Sequence, residues 1–164
     1  MKKITLIGST FMAVIALSTF FFYQSCTPDP CKDVVCNHGG TCATGTCTCP
    51  TGYEGTDCGT LSRAKFLKVW SVSTNSCVSP AGWQTTISAG TGDLDLVLGN
   101  FSDLLCGGQG LSVNAVMTGS TTFNIPSQTL CSGAITISGS GTINGNQVNT
   151  TYTTSAGTCT EVYN

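Results

Sequence analysis

Cysteine content is the feature that most constrains this chain. It has 11 cysteines in 164 residues, and six of them lie between Cys31 and Cys58. Cytosolic reductants would keep such thiols reduced, so this density indicates an oxidising compartment. A segment of fewer than about 40 residues cannot bury enough apolar surface to fold alone, and crosslinks must then restrict its unfolded state. We therefore expect an exported, disulfide-stabilised protein.

Charge and histidine content argue against several classes of function. Charged residues make up 9% of the chain, and the net charge is −2. A nucleic-acid-binding protein needs a basic surface to displace counterions from phosphates, so we expect no nucleic-acid partner. The chain has one histidine, His38. This scarcity argues against most acid–base catalysis and against His-rich metal sites.

The N-terminus has the pattern of an export signal. Lys2 and Lys3 precede an apolar run over residues 4–23, which corresponds to the charged and apolar regions of a secretory signal. The run approaches the roughly 20 residues needed to span a bilayer, so a signal anchor is an alternative. Ser25 and Cys26 follow the run directly. A small residue before a cysteine at this place resembles the lipobox of bacterial lipoproteins.

The lipobox resemblance implies a signal peptide over residues 1–25, acylation of Cys26 as the mature N-terminus, and a tether over residues 26–30. Acyl chains on Cys26 would bind the lipid bilayer firmly. The number of cysteines favours this interpretation, because removing Cys26 leaves an even set of ten. Ordinary secretion, with Cys26 in a disulfide, is the remaining alternative.

The six clustered cysteines follow the spacing C-x4-C-x5-C-x4-C-x-C-x8-C. Two runs accompany it, Asn37-x-Gly-Gly-Thr-Cys42 and Cys49-Pro-x-Gly-Tyr-x-Gly-x-x-Cys58. Together they resemble the EGF-like domain, and the resemblance covers residues 31–58. It implies that the first cysteine pairs with the third, the second with the fourth and the fifth with the sixth. The implied disulfides are Cys31–Cys42, Cys36–Cys47 and Cys49–Cys58.

Neither calcium nor zinc is expected in this module. Some EGF-like domains bind calcium, but residues 27–30 and 43–46 supply too few hard oxygen ligands here. Zinc held by cysteines with His38 as a fourth ligand would compete with disulfide formation in an exported chain. We therefore predict no metal and no cofactor, and we place His38 in a surface loop.

Residues 60–164 have the pattern of an antiparallel β-domain. Apolar and polar residues alternate, and no segment has a sustained 3.6-residue apolar period apart from a short turn near residues 62–67. Asn144-Gly145 is a strong hairpin signal. Sequential strands with short turns favour a meander, closed as a barrel or folded as a sandwich. The predicted strands are residues 65–73, 83–89, 93–100, 111–118, 121–126, 133–143, 146–154 and 158–163.

The order of features resembles a small lipocalin-like barrel, with Trp70 on the first strand, then hairpins, and Cys159 near the C-terminus. It is also similar to short β-domains in lipoproteins of Bacteroidetes-type bacteria. Where lipocalins carry Gly-x-Trp, this chain has Lys68-Val69-Trp70. The four remaining cysteines allow three pairings. We favour Cys77–Cys159, which joins the first and last strand regions, together with Cys106–Cys131.

Few residues of this domain could carry chemistry. Asp93 and Asp95 would share one face of a predicted strand, a spacing that could suit a glycosidase pair. The leucines that alternate with them are expected to fill the core and leave both carboxylates in water. Aromatic residues in alternating strands are usually core, although Trp83 or Phe101 could line a binding surface. We predict no catalytic residue.

The sequence thus predicts an all-β, membrane-anchored lipoprotein of the bacterial cell envelope that is not an enzyme. It would serve in binding, adhesion or scaffolding, with an envelope protein or glycan as its partner, through loops such as residues 106–110. The alternative is a lipocalin-like carrier of a small apolar ligand, which would need an apolar cavity above about 300 Å³. A hydrolase would need a cleft with two convergent titratable groups.

Overall fold

The computed structural model describes residues 28–77, 81–102 and 110–164. The predicted signal peptide over residues 1–25, the predicted lipidation site Cys26 and the predicted disulfide partner Cys106 lie outside these residues. No helix of the described segments is long and apolar enough to cross a bilayer.

The predicted all-β fold is confirmed. A small disulfide-rich module comes first, and a closed eight-stranded antiparallel barrel follows it. In the module β1 (Thr41–Ala43) pairs with β2 (Thr46–Thr48), and β3 (Tyr53–Glu54) pairs with β4 (Thr60–Leu61). The disulfides of this module are Cys31–Cys42, Cys36–Cys47 and Cys49–Cys58, the pairs that the EGF-like resemblance implies.

The barrel is an up-and-down meander in which each strand pairs with the next along the chain. The last strand pairs with the first, and this closes the barrel. A 3₁₀ turn, Ser62–Phe66, leads into it, and a second one, Cys131–Gly133, interrupts it. Its strands are β5 (Val69–Asn75), β6 (Gln84–Ala89), β7 (Asp95–Phe101), β8 (Leu111–Met117), β9 (Thr122–Leu130), β10 (Ile135–Asn144), β11 (Gln147–Thr154) and β12 (Gly157–Tyr163).

Several predicted strand boundaries differ from the observed ones, and three of them differ for a clear local reason. The first strand begins at Val69 and not at residue 65, because the preceding residues form the 3₁₀ turn. The third begins at Asp95, because residues 91–94 form a turn. The fifth continues past Pro126 to Leu130, beyond its predicted end at residue 126. Pro126 is exposed and lies where the β9–β10 register shifts, so its missing N–H breaks no regular ladder.

Side chains fill the interior of the barrel. The buried apolar residues of the described barrel segments form one core cluster, and each of them is at most 6% exposed. The indole of Trp70 is completely buried and donates from Nε1 to the carbonyl oxygen of Phe66 at 2.8 Å. The ring of Phe66 meets that of Phe123 edge-on, and Phe101 meets Tyr152 in the same way. These rings make the barrel a packed core.

The disulfide Cys77–Cys159 links the segment just after β5 to β12, the two strands that close the barrel. This is the pair that we favoured from the sequence. Cys131 is also disulfide-bonded, and its predicted partner, Cys106, lies outside the described residues.

Candidate functional site

The disulfide-rich module is attached to one end of the barrel, which we call the proximal end. This end contains the β6–β7 turn, and its opposite, the distal end, contains Cys77. The phenol of Tyr53 donates to Asp93 Oδ2 at 2.7 Å. The guanidinium of Arg63 donates to the carbonyl oxygens of Gly92 and Asp95. The Tyr53–Asp93 bond therefore joins the module to the barrel, while Arg63, in the 3₁₀ turn after the module, holds that turn against the β6–β7 turn.

Main-chain packing reinforces this attachment. The amide of Ser62 donates to the carbonyl of Gly52 at 2.8 Å, directly after the β3–β4 pair. Gly52 has a φ of +89°, and a Cβ at this position would lie 1.9 Å from Leu94 Cδ2. Glycine is required here because other residues rarely adopt this positive φ. It is also required because a side chain would force the module away from the barrel.

Asp93 and Asp95 have structural roles at this junction. Asp93 is exposed, as expected, but it lies in a turn and not on a strand, and it holds Tyr53. Asp95 is half-buried, so its prediction as a solvated carboxylate was wrong. Its Oδ2 accepts from the amide of Gly92 at 2.8 Å and closes the turn. Carboxylates commonly stabilise turns in this way by accepting from nearby main-chain amides.

Two surface clefts lie near the proximal end. One, of about 410 Å³, lies between the module and the β8–β9 turn and contains Glu54 as its one carboxylate. Glu54 is already paired with Lys65 at 2.6 Å. The other, of about 320 Å³, lies beside β7 and β8 and contains Asp95. Neither lining brings two carboxylates together.

A buried polar cluster around one glutamate, which was not predicted from the sequence, lies inside the barrel. Glu161 on β12 has no exposed surface. Its carboxylate accepts from Tyr163 Oη at 2.5 Å, from Asn75 Nδ2 at 2.5 Å and from Tyr152 Oη at 3.3 Å. Ser102 lies 2.8 Å from Tyr152 Oη and completes the cluster. The alternation of inward residues along β12 (Cys159, Glu161, Tyr163) was the available signal.

Burial raises the pKa of Glu161 above its ordinary value of 4.5, because desolvation disfavours the charged form. The hydrogen bonds from Tyr163, Ser102, Asn75 and Tyr152 oppose this effect, since they stabilise the carboxylate. Burial likewise raises the pKa values of Tyr152 and Tyr163, and the nearby charge of Glu161 raises them further. For the acid and for both phenols, burial therefore shifts the equilibrium towards the neutral form.

The outer face of β8–β12 carries no charged side chain. Glu161 is the one charged residue that follows Asp103 in the sequence, and it points inward. The exposed side chains on these strands are mostly hydroxyls and amides. They align in rows across the sheet, because Ser140 pairs with Thr151 and Thr151 with Thr160. A second row contains Thr142 and Asn149. We call this surface the neutral face.

The two aromatic residues considered for a binding surface have different positions. Phe101 is completely buried, so that hypothesis was wrong for Phe101. Trp83 is half-buried at the distal end, where it packs against the core, and its Nε1 has no hydrogen-bond partner among the described residues. His38 is exposed, as predicted, and stacks on Tyr53 with ring centroids 4.0 Å apart. Most of the loop over residues 106–110 lies outside the described residues.

Comparison with known proteins identifies the first module. Residues 26–58 match the EGF-like domain family. No curated protein matches the chain. Among solved structures, a redesigned beta barrel is similar to it, with 20% sequence identity and a TM-score of 0.42, over 62% of this chain and 92% of that one. A similarity of this extent carries no argument about function. The chain therefore consists of an EGF-like domain followed by an eight-stranded β-barrel.

Proposed function

We propose that the protein is a lipid-anchored, non-catalytic binding protein of the bacterial cell envelope that contacts a neutral glycan through the neutral face. The observation that carries this proposal is the absence of charge on the outer face of the described strands β8–β12. Soluble domains ordinarily mix charges of both signs over their surface. Hydroxyls and amides can both donate and accept, so they suit a polyhydroxylated partner that carries no ions to desolvate.

The EGF-like domain would act as a rigid spacer between the anchor and the barrel. Five residue steps separate Cys26 from Cys31, so the tether spans at most about 17 Å when fully extended. An acylated Cys26 would therefore hold the EGF-like domain close to the membrane. Because Tyr53 of this domain is bonded to Asp93, and Gly52 lies close against Leu94 at the proximal end, the barrel would be displayed beyond it in a fixed orientation.

Two observations favour this function over its alternatives. A carrier of apolar ligands needs an internal cavity, whereas the buried apolar side chains of the described strands pack against one another in a single core cluster. A glycan hydrolase needs two convergent titratable groups. The two surface clefts each contain a single carboxylate, and in each case that carboxylate has a structural partner.

Replacing Cys26 by serine is expected to abolish fatty-acid labelling of the protein completely, because acylation requires the cysteine thiol. Wild-type cells fed an alkyne fatty acid should yield labelled protein in the membrane fraction, and Cys26→Ser cells should yield none. Serine at Cys77 provides the control for loss of a cysteine, and it should leave the label unchanged. Equal labelling of wild type and Cys26→Ser would refute the anchor.

Glycan binding by the neutral face is expected to be insensitive to salt. Retention of the mature protein on arrayed neutral polysaccharides should change less than about twofold as salt rises from roughly 0.05 to 0.5 M, because no charges are screened. Thr151→Lys should weaken retention about tenfold, since it places a hydrated ammonium in the centre of the face.

Thr86→Lys is the matched control, because Thr86 is exposed on β6, outside the neutral face. Its retention should equal that of the wild type. Preferential retention on acidic glycans that weakens with salt, or equal losses in Thr86→Lys and Thr151→Lys, would show that the neutral face is not the binding surface.

A further inference from the structure

We propose that Glu161 is a proton-sensitive lock on the seam between β5 and β12, and that loss of its proton loosens the distal part of this seam. The proposal concerns a conformational device within the barrel. It requires neither the lipid anchor nor the glycan partner.

The seam between β5 and β12 is where the meander closes on itself. β12 stays in register with β11 from Gly157 to Tyr163, but with β5 it is in register from Glu161 onwards, and this register shifts between Val162 and Tyr163. Glu161 is directly opposite Asn75 in this pairing. The carboxylate therefore lies at the point where the paired part of the seam begins.

Among the residues that the structure describes, no cation contacts the buried Glu161. The groups that face it are the phenols of Tyr152 on β11 and Tyr163 on β12, the amide of Asn75 on β5 and the hydroxyl of Ser102 after β7. None of them carries a positive charge at neutral pH. A buried carboxylate that has only neutral partners is costly when ionised, and it gains from access to water. A protonated carboxyl has no such requirement.

The side chain of Asn75 connects this carboxylate to the distal end of the seam. While its Nδ2 donates to Glu161, its Oδ1 accepts from the amide of Cys77 at 2.7 Å. Next to it, the amide of Ser76 donates to the carbonyl of Thr160 at 2.9 Å, and the amide of Thr160 donates to Ser76 Oγ at 2.8 Å. Solvation of Glu161 would disturb Asn75 first, and these bonds with it.

The disulfide Cys77–Cys159 limits how far the seam can open. It joins the two strands on the distal side of Glu161, so they can separate locally but cannot part. We therefore expect local opening and not unfolding of the barrel. Local opening with its own free energy is common in folded proteins and is measured by hydrogen exchange.

The sign of the pH dependence follows from burial. Because the folded state raises the pKa of Glu161, it binds the proton more tightly than the unfolded chain does. The seam is then most stable below the ordinary pKa of 4.5, and this stability is lost as pH rises through the raised pKa.

Amide hydrogen exchange of the intact, disulfide-bonded protein tests the lock. After correction for the intrinsic rate, exchange of the peptides that contain residues 75–77 and 159–162 should accelerate by about threefold or more between roughly pH 4 and pH 8, because the proton is lost as pH rises through the raised pKa of Glu161. In Glu161→Gln this acceleration should be absent. Peptides from the β10–β11 hairpin should exchange equally at both pH values.

Two further variants make the result decisive. Asp33→Asn removes an exposed carboxylate and should behave as the wild type does. Tyr163→Phe removes a bond that lowers the pKa of Glu161, so it should move the onset of fast exchange to higher pH, and it gives a test even if Glu161→Gln fails to fold. Equal acceleration in wild type and Glu161→Gln, an unshifted onset in Tyr163→Phe, or acceleration in every strand alike would overturn the proposal.

Discussion

Replacing both Cys77 and Cys159 by alanine is expected to lower the free energy of unfolding of the barrel by about 4–5 kcal/mol. The disulfide closes a loop with a sequence separation of 82 residues. Removing the disulfide that closes a loop of this length gives the unfolded chain a large gain in conformational entropy. Because total stabilities of single domains are about 5–15 kcal/mol, the variant should be close to unfolding at ambient temperature.

Denaturant unfolding followed by tryptophan fluorescence measures this loss, because Trp70 and Trp83 both belong to the barrel. The matched control removes Cys31–Cys42, a disulfide of the EGF-like domain with a sequence separation of 11. That variant should leave the free energy of unfolding of the barrel within about 0.5 kcal/mol of the wild-type value. A double variant of Cys77 and Cys159 that unfolds at the wild-type midpoint would show that the disulfide does not stabilise the pairing of β5 with β12.

The strands were predictable because each one has one face on the core. Along β8 the inward residues Val113, Ala115 and Met117 alternate with exposed or half-buried ones, so the period of two is present in the sequence itself. The EGF-like domain was predictable for a different reason. Its cysteine spacing is a covalent framework, and the resemblance to a known family implied the pairing.

Closure into a barrel and the attachment of the module could not be predicted from patterns of neighbouring residues, because both depend on contacts between residues far apart in the chain. A barrel and a sandwich have the same alternation, and the β5–β12 pairing that distinguishes them joins the first and last strands of the domain. The bond from Tyr53 to Asp93 likewise joins residues 40 apart in the chain. No short-range pattern in a single sequence reports either contact.

The burial of Glu161 was not predicted, although the alternation along β12 was a signal for it. The alternation that placed Tyr163 in the core also placed Glu161 there, two residues earlier. Buried glutamates are rare unless they are paired, so the alternation alone does not predict an inward carboxylate at this position. Here neutral donors replace the cation, and polar residues on three other segments supply them: Asn75, Ser102 and Tyr152. Their convergence depends on the closed barrel.

Replacing Gly139 by alanine is expected to lower the free energy of unfolding by about 2–3 kcal/mol, in the upper range for overpacked cores. A Cβ at Gly139 would lie 2.3 Å from the carbonyl oxygen of Thr151 and 2.8 Å from Tyr152 Cα. Both obstacles are main-chain atoms of β11, which cannot rotate aside as a side chain could. The two strands would therefore have to separate where Gly139 pairs with Tyr152.

Ser138→Ala is the matched control, because Ser138 is the preceding residue of β10 and its side chain is exposed. It should change the stability by no more than about 0.5 kcal/mol. Thermal and denaturant unfolding of both variants measure the difference. Since Tyr152 also donates to Glu161, separation of the strands at Gly139 should disturb the buried cluster as well. Equal stabilities of Gly139→Ala and Ser138→Ala would mean that the main chain of β11 can shift without loss of stability. The close approach of the two strands would then not require glycine at this position.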